Sequence, residues 1–485
     1  MALPLKSARL RILRLISHPL LRRPHNLPRC ITQSYQTTTI CRTDGVFREL
    51  TEARVQTPWI EALRKKQEQG EDPTEASGKS EVGKPEERDL SAKRMSDSYH
   101  SIIPLGQDPW LLDTYTNSSG DIRLGTIFMD LDALSGVIAY KHTGDAVTTV
   151  TAAFDRITIN HPLTEICDLE LSGQVTYATG RSSMEISLQV ARAPKKDEKV
   201  KKEDILITCA CTMVSLDPGT KKPVPISPVL AETEEEKRMF ASGERNSAAR
   251  KELSKISLLK HTPNDLESDL IHSMWLRELQ YHDPNDPLRK PSNVVYMDTT
   301  KVSTAAIMQP QYRNRHHFMI FGGFLLKQTF ELAFLCAASF AHARPTFVSL
   351  DPSTFQNPVP VGSVLYLSAH VVYTDPPLVA AEGEKTADSE NKEGRRTSDL
   401  EKEGKRYTRV QVRVDSKVRD VEHGETKPTG QFNYTFNVER DVRVMPRTYQ
   451  EFMMYVDARR RALKVAADIQ DGESADAGQT ERVTE

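Results

Sequence analysis

The chain has 485 residues, of which 38% are hydrophobic and 27% charged, a length that suits about two to four domains of ordinary size. Its 65 Lys and Arg nearly balance its 67 Asp and Glu, which excludes a uniformly basic nucleic-acid-binding protein and a strongly acidic solvating protein. Six cysteines are too few for a disulfide framework in a chain of this length. No run of about 18 apolar residues occurs, so we predict no membrane-spanning helix.

The first 43 residues contain eight basic side chains and no acidic one. In LKSARLRILRLI, at residues 5–16, Leu and Ile alternate with the basic residues, so a helix would have one basic and one apolar face. These features predict a mitochondrial transit peptide over residues 1–43, with the matrix as its destination. A basic tail without a targeting role is the alternative interpretation of this segment.

Three further segments are highly charged and poor in aromatic residues. They cannot bury enough apolar surface to offset the conformational entropy of the chain. We therefore predict a partly disordered linker over residues 44–98 and a disordered insertion over 377–406. The C-terminal segment, 446–485, is predicted to begin with an amphipathic helix and to end in a disordered tail after Asp468.

The rest of the sequence contains an internal repeat. ELSGQVTY at residues 170–177 resembles YLSAHVVY at residues 366–373, at an offset of 196 positions. Upstream, Asp155 and Asp351 share that offset. Because the same kinds of residue recur in the same order at nearly one offset, we predict two homologous units.

Each unit begins with an Asn, Asn117 or Asn314, which precedes a glycine and a long apolar helix predicted over residues 124–140 or 321–341. Alternating apolar and polar residues predict several strands after each helix. The helices are apolar nearly all round, so each must be buried against its sheet, which is an α+β arrangement. The predicted divisions of this part of the chain are a first domain at 99–225, a helical linker at 226–288 and a second domain at 289–445.

Two motifs carry a family resemblance. NSSGDIRLG at residues 117–125 resembles the N-x-x-G-D-I-x-G-G start of a hotdog helix, and RNRHHFMIFGGFLLKQTFELA at 313–333 resembles the family run R-N-x-F-G-G-F-L-x-x-x-x-E-L-A. Over roughly residues 105–465 the chain thus resembles the mitochondrial acyl-CoA thioesterases that have two hotdog domains. The resemblance implies a tandem double hotdog, in which two central helices, each wrapped by a curved antiparallel sheet, pair as a pseudo-dimer within one chain. The active sites of such a pseudo-dimer lie where the two units meet.

The resemblance also implies the catalytic residues. In related enzymes the Asn of one unit works with the acid of the other, so the implied pairs are Asn314 with Asp132 and Asn117 with Glu331. A carboxylate can activate water, while an Asn side chain and helix N-terminal amides can polarise the thioester carbonyl. An Asn before a helix is also a common N-cap, and an acid on a helix can pair with a structural base. Asp130 is a rival to Asp132 on a different face of the same helix.

The two units differ in register, because seven residues separate Gly125 from Asp132 whereas eight separate Gly323 from Glu331. We therefore do not expect both sites to be equally active. Glycines at the helix starts would let the substrate approach the backbone, and the loop after the repeated strand would lie near the CoA nucleotide, with its arginine pairing to phosphate. An ordinary surface turn is the alternative for that loop. The residues implied in substrate binding are Gly125, Gly180, Arg181, Ser182, Ser183, Gly322 and Gly323.

Hydrolysis of a thioester in this way needs no metal and no other cofactor, and the implied partner is the acyl-CoA substrate rather than nucleic acid. A hotdog enoyl-CoA hydratase or dehydratase is the alternative among enzymes, and His316 and His317 keep it open. A non-catalytic acyl-CoA-binding protein is the alternative outside enzymes. Assembly into a homo-oligomer also stays open. Cys209 and Cys211 face one side of a strand and are predicted to pack in the core rather than to bind metal.

Overall fold

The structure is a computed structural model, and it describes residues 59–68, 88–96, 98–161, 165–194, 200–256, 261–285, 288–314, 318–379 and 407–480. Residues Arg42–Glu485 form one compact unit. The transit peptide predicted over 1–43 lies outside the described residues. So do most of the linker predicted over 44–98 and nearly all of the insertion predicted over 377–406.

The described elements follow the predicted order, in which a long helix and then several strands occur twice. The helices are α1 (Trp59–Glu68), α2 (Pro109–Tyr115), α3 (Leu124–Thr143), α4 (Glu234–Ile256), α5 (Asp265–Tyr281), α6 (Gly322–Ala341) and α7 (Tyr449–Thr480). The strands are β1 (Lys93–Arg94), β2 (Tyr99–Ile103), β3 (Thr148–Phe154), β4 (Ile157–Ile159), β5 (Leu169–Ala178), β6 (Ser183–Arg192), β7 (Ile205–Leu216), β8 (Val229–Leu230), β9 (Val294–Tyr296), β10 (Val302–Ile307), β11 (Thr346–Leu350), β12 (Ser353–Thr354), β13 (Val364–Asp375), β14 (Thr408–Arg419), β15 (Thr426–Val438) and β16 (Arg443–Met445). Short 3-10 turns lie at Lys202–Asp204, Met297–Thr300 and Pro310–Tyr312.

Each unit is built around one long central helix, α3 in the first unit and α6 in the second. Both helices bury side chains on most of their faces, as their apolar composition predicts. Helix α3 ends at Gly144, whose φ of 75° suits a residue without a Cβ atom. Within the described part of the chain, α6 is the one helix long and apolar enough to cross a membrane, and 61% of that stretch is buried inside the protein. It therefore serves here as a core helix.

Twelve of the sixteen described strands form one sheet that continues through both units, while β1 pairs with β8 and β9 pairs with β16 in two small parallel sheets. The main path of the large sheet is β10-β13-β14-β15-β11-β4-β7-β6-β5-β2, and β3 and β12 pair with each other off this path. The units join where Leu350 of β11 lies opposite Ile157 of β4, and where Ser353 of β12 lies opposite Phe154 of β3. A shift of 196 positions converts one of these pairs into the other, so a pseudo-twofold axis relates the units. The predicted tandem double hotdog is confirmed.

The two central helices pack against each other across the same axis. A Cβ atom at Gly323, in the first turn of α6, would lie 2.8 Å from the carbonyl oxygen of Met129 in α3. A Cβ atom at Gly125, in the first turn of α3, would lie 3.4 Å from the carbonyl oxygen of Lys327 in α6. These contacts correspond at an offset of 198 positions, not the 196 that relates the strands. The connection from helix to sheet is therefore two residues shorter in the second unit.

The repeat also includes the helices that follow each unit. Thr233 immediately precedes helix α4, and its hydroxyl accepts the backbone N–H of Glu236 at 3.2 Å. Thr448 immediately precedes α7, and its hydroxyl accepts the N–H of Glu451 at 3.3 Å. In both cases the glutamate carboxylate accepts the N–H of the threonine, which completes a capping box. The predicted helical linker and the predicted C-terminal helix thus begin with the same capping motif. We keep 99–225 and 289–445 as proposed bounds of the central helix and sheet of each unit.

Two helices reach into segments for which the sequence predicts disorder or partial disorder. Helix α1 lies within the linker predicted over 44–98, and α7 continues past Asp468 to Thr480. Helix α1 is rich in residues of high helix propensity, such as Ala, Glu, Gln and Lys. A lack of apolar residues argues against burial in a core, but it does not prevent a backbone from forming a helix.

Candidate active site

Asp132 lies on α3 at the point where α6 of the other unit begins. Its carboxylate is fully buried. Oδ2 accepts the backbone N–H of Gly323 at 2.5 Å, and Oδ1 accepts the hydroxyl of Thr151, on β3, at 2.8 Å. The hydroxyl of Ser135, one turn along α3, donates to the Asp132 carbonyl oxygen at 2.7 Å. The N-terminal end of α6 carries a partial positive charge that stabilises a carboxylate at this position.

Two glycines make this approach of the helices possible. A Cβ atom at Gly323 would lie 2.9 Å from the Cβ of Asp132, and one at Gly322 would lie 3.1 Å from its Oδ2. The sequence interpretation assigned these glycines to close approach of a substrate. The close approach that the structure contains is between the two helices, and the role in substrate binding stays a prediction.

Asp130, the rival to Asp132, is also fully buried, but it has a different neighbour. Its Oδ2 accepts the hydroxyl of Tyr115, on α2 of the same unit, at 2.5 Å. Positions two apart on a helix point in directions that differ by about 200°. Of the two carboxylates, Asp132 is therefore the one that the structure brings to the start of the second central helix.

Glu331 lies beside the start of the first central helix, as the predicted pairing across the units requires. Its Cγ would be 3.5 Å from a Cβ atom at Gly125. Its Oε1 lies 2.6 Å from Nη2 of Arg123, the N-cap residue of α3, and both side chains are partly exposed. The second acid thus contacts a guanidinium, whereas Asp132 contacts a backbone amide and a hydroxyl.

The two asparagines lie in the loops that precede the central helices. Oδ1 of Asn117 accepts the backbone N–H groups of Ser119 at 2.8 Å and Asp121 at 3.0 Å, which closes its loop as a local turn. The backbone N–H of Asn314 donates to the carbonyl oxygen of Met319 at 2.7 Å and closes the matching loop. Residues 315–317 next to Asn314, including both histidines of the dehydratase alternative, lie outside the described residues. The catalytic roles of both asparagines stay predictions.

The predicted nucleotide loop connects β5 to β6. Gly180 has a φ of 81°, as a tight turn demands. The backbone holds the loop in place, because the carbonyl oxygen of Arg181 accepts the N–H of Ile226 at 3.0 Å and that of Ser182 accepts the N–H of Ser215 at 2.7 Å. The Arg181 side chain is exposed. In the second unit most of the matching connection lies outside the described residues.

A buried cluster of charges in the first unit was not anticipated from the sequence. Nη1 of Arg250, on α4, contacts the carboxylates of both Asp155 and Glu185, the latter at 3.1 Å. The Asn246 amide donates to Glu185 at 2.9 Å. Burial, with the nearby charge of Asp155, raises the pKa of Glu185 to about 7. The cluster ties helix α4 to the sheet. The sequence carries no clear sign of this cluster, because the alternation of β6 assigns the acidic Glu185 to the polar face of the strand.

Three of the cysteines in the described residues lie in the core, namely Cys209, Cys211 and Cys336. Cys209 and Cys211 are buried on β7, and burial raises the pKa of both thiols well above its ordinary value. Burial raises the pKa of Cys336, on α6, to about 12. Thiols with such pKa values stay protonated near neutral pH and are poor nucleophiles. In the described ranges no cluster of three or more His, Cys, Asp or Glu side chains is arranged to hold a metal ion.

Comparison with known proteins identifies the family. No family model matches the chain. The chain is 32% identical to acyl-coenzyme A thioesterase 9, mitochondrial, of Mus musculus over 390 residues, which are 78% of this chain and 80% of that protein. It is 33% identical to the Homo sapiens protein of the same name over 381 residues, 76% and 78% of the two chains. The solved acyl-CoA hydrolase from Staphylococcus aureus in complex with butyryl coenzyme A is similar at 21% identity and a TM-score of 0.29, over 38% of this chain and 96% of that one. The chain belongs to the acyl-coenzyme A thioesterase family.

Proposed function

We propose that this protein hydrolyses acyl-CoA to a free fatty acid and CoA at the junction of its two units. One observation carries the proposal, namely the contact of the Asp132 carboxylate with the N–H of Gly323 in the other unit, with Thr151 as a second donor. Thioester hydrolysis uses a carboxylate together with donors that stabilise an oxyanion, and this contact brings a carboxylate to the positive end of a helix. Family membership supports the same reaction.

In the proposed reaction Asp132 accepts a proton from a water molecule whose oxygen attacks the carbonyl carbon of the thioester. The Gly323 N–H moves its hydrogen bond from Asp132 to the carbonyl oxygen and, with the amide of Asn314, stabilises the oxyanion. The intermediate then collapses, the carbon–sulfur bond breaks, and Asp132 returns the proton to the sulfur of CoA. The Thr151 hydroxyl holds one carboxylate oxygen so that the other faces the water.

The position of the nucleotide and the cellular setting complete the proposal. We assign the CoA phosphates to the loop at residues 180–183, where exposed Arg181 can pair with them. The protein is mitochondrial, because its N-terminal segment is basic and free of acidic residues and its mammalian relatives are named as mitochondrial. We propose the matrix as its compartment. Assembly into a homo-oligomer is a further proposal, which light scattering on the eluting protein tests directly.

The test is a hydrolysis assay on the chain from Asp44 onward, with acyl-CoA substrates of graded length and a chromogenic thiol reagent. We expect CoA release, and we expect Asp132→Asn to lower kcat by about 10²-fold or more, the usual effect of losing a general base. If no chain length yields CoA, the proposal is wrong. Hydration of an enoyl-CoA would instead favour the dehydratase alternative, and tight acyl-CoA binding without turnover would favour a binding protein.

A further inference from the structure

We infer that the chain contains one hydrolytic centre, at Asp132, and that the pseudosymmetric position on the other side of the axis is closed by aromatic side chains. This inference rests on the proposed function. The sequence interpretation instead treated Glu331 as the second catalytic acid and as the counterpart of Asp132. The argument depends on which residues are structurally equivalent in the two units.

The contacts between the central helices fix the equivalence of helix positions. Gly323 approaches the carbonyl oxygen of Met129, and Gly125 approaches the carbonyl oxygen of Lys327, so the helices correspond at an offset of 198. At this offset the counterpart of Asp132 is Phe330. The counterpart of Ser135, whose hydroxyl donates to the Asp132 carbonyl, is the buried Ala333, which has no hydroxyl.

The register of the strands fixes the equivalence of sheet positions. The ladder between β3 and β7 shifts register after Thr151, and the ladder between β11 and β15 shifts register after Phe347, 196 positions later. The counterpart of Thr151 is therefore Phe347. Their partners on the next strand differ in the same way, because Thr151 lies opposite Met213 whereas Phe347 lies opposite Phe436.

The replacements Phe330, Phe347 and Phe436 pack together with Phe128 and Tyr434 into one aromatic cluster. The ring centroids of Phe330 and Phe347 are 5.4 Å apart in an edge-to-face arrangement, and Phe128 lies 5.2 Å from Phe330. Tyr434 and Phe436 lie 5.8 and 6.0 Å from Phe330. Every member of the aromatic cluster is at most 6% exposed. Rings thus fill the space that a carboxylate, a hydroxyl and a water would need.

Glu331 is displaced from this position by one residue. One residue turns a side chain by about 100° around a helix, so Glu331 points away from the direction that Phe330 shares with Asp132. There its Oε1 lies 2.6 Å from Arg123, the N-cap of α3. The N-cap of α6 at the matching position is the buried Phe321. The acid of the second unit therefore forms an ion pair at the rim of the junction, outside the centre of the pseudosymmetric position.

The experiment compares Asp132→Asn, Glu331→Gln and the double variant in the chain from Asp44 onward, with unfolding curves for each. One centre predicts that Asp132→Asn loses about 10²-fold in kcat or more, that Glu331→Gln stays within about twofold, and that the double variant equals Asp132→Asn. Two equal centres would leave about half of the activity in each single variant, which would overturn the inference and leave the proposed function intact. A wild-type chain without hydrolysis would overturn both.

A second variant protects the comparison against misfolding. If Asp132→Asn lowers the unfolding midpoint, the comparison is repeated with Thr151→Val in its place, because the Thr151 hydroxyl donates to the Asp132 carboxylate. With one centre, Thr151→Val lowers kcat by about tenfold or more, since a hydrogen bond to a charged group is lost. A loss of no more than about twofold, together with a similar loss in Glu331→Gln, would contradict the inference.

Discussion

The replacement of Gly323 by Ala tests the junction of the units most directly. The new methyl group would lie 2.6 Å from Cε1 of Phe321, 2.8 Å from the carbonyl oxygen of Met129 and 2.9 Å from Cβ of Asp132. The last two atoms belong to the backbone and the first side-chain carbon of α3, so they cannot move without the helix. The start of α6 must therefore shift away from Asp132.

The expected change in the free energy of unfolding combines two effects of opposite sign. Overpacking a tight contact costs about 1–3 kcal/mol, while Ala in place of Gly in a helix gains up to about 1 kcal/mol. We expect Gly323→Ala to lower the free energy of unfolding by about 1–2 kcal/mol. The effect on kcat/KM is larger, about 10²-fold, because a displacement of about 1 Å separates the Gly323 N–H from the Asp132 carboxylate.

Gly125→Ala is the matched control, because Gly125 occupies the equivalent place in the other helix. Its added methyl group would meet Phe330, Lys327 and Glu331 at 3.3–3.5 Å, distances that a small adjustment accommodates. We expect a change in the free energy of unfolding below about 1 kcal/mol and a kcat/KM within about threefold of wild type. Urea denaturation and thiol release measure both quantities. If the two variants behave alike, the argument from close approach is wrong.

Two further predictions concern side chains around the same sheet. Thr151→Val should lower kcat/KM by about 10- to 100-fold, because a hydrogen bond to a carboxylate is worth about 1.5–3 kcal/mol. Thr151→Ser keeps the hydroxyl donor and should keep most of the activity. Equal activity of the two variants would contradict the role of the hydroxyl. The second concerns pH. The pKa of Glu185 rises from about 4.5 in the unfolded chain to about 7 in the fold, so its contribution to stability is complete below pH 4.5 and is lost as the pH rises through 7. In the wild type, the free energy of unfolding should fall by at most about 3 kcal/mol as Glu185 ionises, and Glu185→Gln should abolish this fall. Urea unfolding of both proteins at pH 5 and pH 8 measures the difference. If the pH dependence of the variant is unchanged, the raised pKa of Glu185 is refuted.

The fold could be predicted because its evidence repeats along the chain. Strand alternation gave the sheet, and the offset of 196 gave the pairing of the units. The helices after each unit were predicted as a helical linker and a C-terminal amphipathic helix, but not as parts of the repeat. Their Thr-x-x-Glu signals, Thr233 with Glu236 and Thr448 with Glu451, were present in the sequence, and comparing them would have extended the repeat.

The site could be predicted only in part. Asp132 was implied by the family resemblance as the acid on the first central helix, but Thr151 was missed because threonine is common on a half-buried strand. Glu331 was taken as the counterpart of Asp132 because the family resemblance implied both acids. The spacing of seven residues from Gly125 to Asp132 and of eight from Gly323 to Glu331 already showed that the two acids differ in register. The contact between the central helices makes the two glycines equivalent and thereby assigns Phe330 to the position of Asp132.

The covalent link between the units changes what substitution can do to their shared junction. In a symmetric homodimer each substitution appears twice, so a change that destroys one site destroys the other. In a tandem chain the two halves change independently. One side of the axis can then exchange polar residues for dense aromatic packing, while the other side keeps the carboxylate. Stability and activity, which compete within a single site, are thereby divided between two positions that were once copies of each other.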